Sequence, residues 1–205
     1  MRDGGKASST PLGDSVLGGP MDQRELVRLL PEIGLIKDPE LRKKVVRVWL
    51  LALERSSFET VEGIPFTLLI EGLKDTLTEH TGRVTRSADA IARVRGDLVR
   101  DVVLAGALLH DVGKVLEYTP GKDGGPVGKS GVGKLLRHPV TGAALAMEVG
   151  LPPEVVHVIA AHAGEGDLVT RTPEAICVYH CDLIDFETTK AKLGKGGTPP
   201  KVHGK

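Results

Sequence analysis

Six side chains in this sequence have the types and positions to bind a metal ion. His110 and Asp111 close the run Val102 to Leu109, VVLAGALL, which is apolar all round and reads as a helix at the centre of a globule. Burying an imidazole beside a carboxylate is costly without a partner, and a cation suits both. His80 falls in the middle of an apolar stripe, and His162 shares a helical face with Val155, Val158 and Ile159. His138 stands at a helix start, before Pro139, and Asp182 shares a face with Ala175, Val178 and Asp185. Taken singly, each imidazole reads as a hydrogen-bonded core residue. Together, four of the seven histidines and two aspartates from five helical segments read as ligands converging on a shared metal site. His157, His180 and His203 fall on outer faces or in the tail.

The elements that must position these groups are helices. Asp38-Pro39-Glu40 is a cap with Pro at the first helical position, followed by Leu41, Val45, Val48 and Ala52 at helical spacing. Leu69, Leu73, Leu77, His80, Val84, Ala88 and Ile91 form a second stripe. Further starts with Pro in the first turn occur at Pro139, Pro152-Pro153-Glu154 and Thr172-Pro173-Glu174. Period-two alternation reaches no convincing length, so the expected fold is all-α, with at most a short β-hairpin within 115–137. Residues 1–20 are rich in Gly, Ser and Pro and read as a disordered tail, 21–60 as N-terminal helices, and 191–205 as a basic flexible tail.

Composition narrows the function classes. Lys plus Arg and Asp plus Glu number 27 each, so no global field draws the chain to nucleic acid or membrane. Aromatic residues are 3% of the total, too few for a wide base-stacking platform, and nucleic acid is not the favoured partner. Cys177 and Cys181 lie four apart on a helix and read as small buried thiols rather than a disulfide or metal pair. No apolar run has the length of a membrane span, and the N-terminus has no signal-peptide block, so the expected location is the cytoplasm.

The stretch GPVGKSGVGK, residues 125–134, imitates a nucleotide-phosphate loop and fails as one. From Gly128 the spacing G-x-x-x-x-G-K is met, yet Leu135 stands where a Ser or Thr hydroxyl is needed, and a loop precedes it where the motif needs a strand. It reads instead as a lysine-bearing connection, 119–137, able to close over an anionic substrate with Lys129, Lys134 and Arg137.

HDVGK at 110–114 resembles the H-D-x-G-K hallmark of the HD superfamily of metal-dependent phosphohydrolases. LTEHT (77–81), LAGALLHDVGKVLEY (104–118), GKLLRHP (133–139), AAHAGE (160–165) and PEAICVYHCDLID (173–185) resemble, in order and spacing, the HD domain of three-prime exoribonucleases. The resemblance spans about residues 65–190 and implies a single HD-type helical domain over 61–190. It implies that His80, His110, Asp111 and Asp182 hold one metal and that His138 and His162 hold a second, with Asp111 bridging. Two departures stand out: Ala163 occupies a place where the family often has a second histidine, and the exoribonucleases carry a separate nucleic-acid-binding domain with no counterpart in the pattern here.

Imidazole and carboxylate ligands suit one or two divalent ions of iron, manganese, zinc or nickel. Two cations about 3.5 to 4 Å apart would hold a phosphate oxygen and supply hydroxide at neutral pH. Asp111 and Lys114 are then the expected catalytic residues. Lys114 would pair with a phosphate oxygen as a point charge, joined by Lys129, Lys134 and Arg137 on the substrate. The expected activity is hydrolysis of a phosphomonoester or phosphodiester, such as a nucleotide, cyclic nucleotide or short oligonucleotide. The alternatives are an HD-fold di-iron oxygenase and a binding module without activity.

Overall fold

The computed structural model of the protein describes residues 21–195. The expected tail at 1–20, and residues 196–205 of the tail expected at 191–205, lie outside those residues. Helix α1 (Gln23–Leu29) and the 3-10 turn Pro31–Leu35 lead into α2 (Pro39–Glu54), where Asp38 caps the backbone N–H groups of Glu40 and Leu41. Then come α3 (Leu77–Arg95), α4 (Arg100–Leu109) and the single turn α5 (Lys114–Glu117). Strands β1 (Tyr118–Thr119) and β2 (Gly128–Lys129) make a two-stranded antiparallel hairpin, with Tyr118 opposite Lys129. Helices α6 (His138–Glu148), α7 (Pro153–Ala161) and α8 (Pro173–Lys192) follow, each with Pro in its first turn as the sequence predicts. No helix among the described residues is long and apolar enough to cross a membrane.

Helix α4 is the axis of the fold. Val103 to Leu109 are all buried, and α4 packs on α2, α3, α7 and α8. It approaches α7 closely at Gly106: a methyl group there would sit 2.4 Å from Cγ1 of Val158, so only glycine permits this approach. The glycine of HDVGK has the same role at the next contact. A methyl at Gly113 would meet the carbonyl oxygen of His138 at 2.1 Å and Oγ1 of Thr141 at 2.6 Å. The motif's glycine therefore lets the start of α6, with His138, rest on the turn that carries Asp111.

Three expectations need correction. The apolar stripe from Leu69 suggests a helix there, but α3 begins at Leu77. Thr76 and Glu79 form a reciprocal capping box, Gly72 takes a left-handed φ of 77°, and Leu69 is 82% exposed in a loop. The connection 119–137 is not a free cover over the site. Ser130 donates its N–H to the Glu117 carbonyl (2.9 Å) and its hydroxyl to the Leu116 carbonyl (2.6 Å), and its Oγ accepts from Gly133 N–H (2.9 Å). The basic C-terminal segment begins later than 191, because α8 runs through Lys192 and Lys195 Nζ donates to the Glu71 carbonyl at 2.7 Å.

Substituting Gly113→Ala should lower the stability of the metal-free protein by about 1–3 kcal/mol through overpacking against α6. Gly128→Ala, with nothing within 4 Å of the added carbon, should stay within about 0.5 kcal/mol. Chemical denaturation of both variants checks this, and equal effects would contradict the close approach.

Candidate metal centre

The six residues singled out from the sequence come together at one place, delivered by the ends and faces of five elements. His110 and His162 are the C-cap residues of α4 and α7, the two helices brought close by Gly106. At such an end the last carbonyls lack intrahelical partners, and each ring uses one: His110 Nδ1 donates to Ala107 O at 2.6 Å, His162 Nδ1 to Ile159 O at 2.7 Å. His80, in the first turns of α3, donates Nδ1–H to Oδ2 of Asp185 (2.7 Å), and His138, at the start of α6, donates Nδ1–H to Oε2 of Glu117 (2.9 Å). A carbonyl or carboxylate acceptor fixes the ring proton on Nδ1, which leaves the lone pair on Nε2.

Those four Nε2 atoms face one another in two pairs. His80 and His110 approach to 3.2 Å, as do His138 and His162. With both rings of a pair neutral and their protons on Nδ1, the two Nε2 atoms are both acceptors and cannot bond each other, and a cation between them would satisfy both. Asp111, 1% exposed, lies between the pairs. Its Oδ2 is 3.4 Å from Nε2 of both His80 and His110, and its Oδ1 is 3.2 Å from that of His138 and 3.6 Å from that of His162. Asp182, from α8, adds Oδ1 at 3.1 Å from His80 Nε2 and 3.9 Å from His110 Nε2. Two sets of three ligand atoms thus fall within 4.8 Å of one another: His80, His110, Asp182 and Asp111, His138, His162. The donors are imidazole nitrogen and carboxylate oxygen, a combination that fits a transition-metal dication.

The charge state of the metal-free centre follows from burial and neighbours. Burial alone would raise the pKa of Asp111, but the Lys114 ammonium, His110 and the hydrogen bonds of His110 and His162 hold it well below the carboxylate range. Asp182 is lowered too, with His80 and His110 outweighing burial. Burial opposes charge on His80, yet hydrogen bonds to Asp111, Asp182 and Asp185 raise its pKa to about 10. On the other side burial dominates and takes His138 down to about 4 despite its bond to Glu117.

The proposed substrate-binding residues are brought together only in part. Lys114 is buried, with Nζ 2.5 Å from both Asp111 Oδ2 and the Phe66 carbonyl, which leaves one of its three donors for a ligand. Lys129 and Arg137 line the cleft over the centre and pair with Glu117 (3.2 Å) and Glu165 (3.3 Å). Lys134, expected beside them, is exposed on the turn Val132–Lys134 and lies outside the cleft lining, because the Ser130 bonds fix the turn. His157, expected at the surface, is half-buried and accepts the Thr172 N–H at 3.2 Å.

Sequence reasoning missed Glu117, which also takes the His138 backbone N–H (2.8 Å) and is held at a pKa of about 2 by His138 and Lys129 against burial. Its one signal is an acid closing the apolar pair Val115-Leu116. Phe66, stacked on the His80 ring at 4.4 Å, left no signal. Asp185 appears in the sequence only as a neighbour of Asp182 on one helical face. It orients His80 and is in turn gripped by Arg83 through Nε at 2.7 Å and Nη2 at 2.9 Å.

Metal binding should therefore be linked to protons on one side only. A dication displaces the proton of His80 below pH 10 and none from His138 above pH 4. Affinity at the His80 side should rise with pH between 7 and 9, whereas the His138 side gains nothing from its ring. Calorimetry at pH 7.5 in buffers of different ionisation enthalpy should show about one proton released in one binding step; no release would contradict the charge state of His80.

The HD domain family matches residues 77–187 of the chain. A curated relative, dihydroneopterin 2',3'-cyclic phosphate phosphodiesterase of Methanocaldococcus jannaschii, is 31% identical over 173 residues, which cover 77% of this chain and 68% of that protein. No solved structure matches the chain. With the family match spanning α3 to α8, the elements that carry every candidate ligand, the chain belongs to the HD-domain phosphohydrolases.

Proposed function

We propose that this metal-dependent phosphohydrolase cleaves a phosphodiester, with a 2',3'-cyclic phosphate as the favoured form, using two divalent cations held on either side of Asp111. The observation that carries the reading is the pairing of four inward-facing Nε2 atoms at 3.2 Å, with one oxygen of Asp111 turned to each pair. His80, His110 and Asp182 would hold one ion, His138 and His162 the other, with Asp111 shared. Iron, manganese, zinc and nickel all suit these donors. Ions held there would supply Lewis acidity toward a phosphoryl oxygen and a water nucleophile at neutral pH.

The remaining work falls to the chain itself. Lys114 places a positive charge against Asp111, where negative charge grows on the phosphoryl oxygens as water adds to phosphorus and the ester P–O bond breaks. Lys129 and Arg137, at the edge of the cleft, attract and orient the anionic substrate. Glu117 and Asp185 keep His138 and His80 in the tautomer that turns Nε2 inward. For a cyclic diester the opened product is a single phosphomonoester, since the leaving oxygen stays on the same sugar. The activity for which the relative is named supports a diester over a monoester and gives the di-iron oxygenase alternative no support.

Metal-free protein should hydrolyse neither bis(p-nitrophenyl) phosphate nor nucleoside 2',3'-cyclic phosphates, and activity should return on adding manganese, iron, zinc or nickel. Turnover that depends on dioxygen, or that survives metal removal, would contradict the reading. Lys114→Ala should lower kcat by about a hundredfold. Lys129→Ala should raise KM roughly tenfold, with metal content unchanged, while Lys134→Ala should leave KM alone. Steady-state kinetics with elemental analysis separates these, and a KM effect at Lys134 equal to that at Lys129 would contradict the assigned cleft.

A further inference from the structure

Helices α3 and α8 pack together and supply two of the groups on one side of the centre, His80 and Asp182. The same helices are tied to each other about one turn further along. Arg83 lies three residues past His80 on α3, and Asp185 three past Asp182 on α8, so each shares a face with the candidate ligand before it. Arg83 takes the Asp185 carboxylate with two donors, Nε to Oδ1 at 2.7 Å and Nη2 to Oδ2 at 2.9 Å, while Oδ2 also accepts Nδ1–H of His80 at 2.7 Å. Nη2 of Arg83 is also 2.9 Å from Oδ2 of Asp75, in the segment before α3. That segment carries Phe66, whose N–H donates to the Asp75 carbonyl at 3.4 Å and whose ring is stacked on that of His80. The two carboxylates that Arg83 holds thus belong to the residue that orients His80 and to the segment that covers its ring.

We infer that Arg83 is a positioning residue for the metal on the His80 side, acting through Asp185 by geometry rather than by charge. The inference deepens the proposed reading and rests on it for the ion itself. The terminal torsion of an aspartate is broad, so the single bond from His80 leaves the carboxylate free to turn, and the imidazole with it. Two donors from one planar guanidinium remove that freedom, which the point charge of an ammonium does not. Charge points the other way. A dication is repelled by a nearby guanidinium more than the single proton it displaces, so an electrostatic role would make loss of Arg83 tighten metal binding. The His138 side has no such fork: Glu117 meets Lys129 at 3.2 Å, an ammonium in place of a guanidinium. The effect of Arg83 is therefore confined to one of the two sides.

The test is titration of the metal-free full chain with manganese(II) at pH 7.5, with the free ion read by its paramagnetic resonance signal. Asp182→Ala and His162→Ala, which each remove a ligand from one side, identify the two binding steps. Arg83→Ala should weaken the His80-side step by about 10- to 100-fold and leave the other step in place. Arg83→Lys should behave as Arg83→Ala does, and it covers the case in which the alanine variant does not fold. Adding Arg83→Ala to Asp185→Ala should cost no more than Asp185→Ala alone, because Arg83 acts through that carboxylate. Tighter binding in Arg83→Ala, full affinity in Arg83→Lys, equal loss on both sides, or additive losses in the double variant would overturn the inference and leave the metal reading intact. No manganese uptake on the His80 side of the unaltered protein would overturn both.

Discussion

The buried carboxylate of Asp111 sets the terms for everything around it. A lone ionised carboxyl at this depth would be strongly destabilising, and here both oxygens are spoken for: Oδ2 by Lys114, His80 and His110, Oδ1 by His138 and His162. The residues that face it come from α3, α4, α5, α6 and α7, so its surroundings are complete only when all five elements are in place. Function and fold therefore share one constraint. The carboxylate placed between the two imidazole pairs is also the group whose isolation would oppose folding.

Helix ends supply the precision. A side chain at mid-helix is aimed by its neighbours along one face, whereas His110 and His162 use the unsatisfied carbonyls of their own last turns to lock their rings. The two remaining histidines borrow carboxylates for the same purpose, Asp185 for His80 and Glu117 for His138. Each side of the centre thus contains one ring held by backbone and one held by a charge. The carboxylate-held rings are the ones open to adjustment, because Asp185 is shared with Arg83 and Glu117 with Lys129, which also lines the cleft.

Much of this was legible in the sequence, for physical reasons. Pro in a first turn has a fixed φ and no N–H to lose, so the starts of α2, α6, α7 and α8 could be read from local residues. Histidines within apolar faces identified all the rings at the centre, since an imidazole is rarely left among aliphatic side chains without a partner. What failed was information that is not local. The spacing of Leu69 and Leu73 mimics a helix, but the Thr76–Glu79 box and the left-handed Gly72 end that pattern. Three loop lysines and arginines looked equivalent until the Ser130 hydrogen bonds turned Lys134 away from the cleft. Glu117 could not be matched to His138, 21 residues distant, without the fold.

The central claim is that Asp111 joins two cation sites, one for each pair of imidazoles. Anomalous X-ray diffraction from crystals of manganese- or iron-loaded protein tests it most directly. The account predicts two peaks about 3.5 to 4 Å apart, one within about 2.3 Å of Nε2 of His80 and His110, the other equally near Nε2 of His138 and His162, with one Asp111 oxygen on each. A single peak bound by one pair, with the other pair's nitrogens still facing each other at full occupancy of metal, would contradict it.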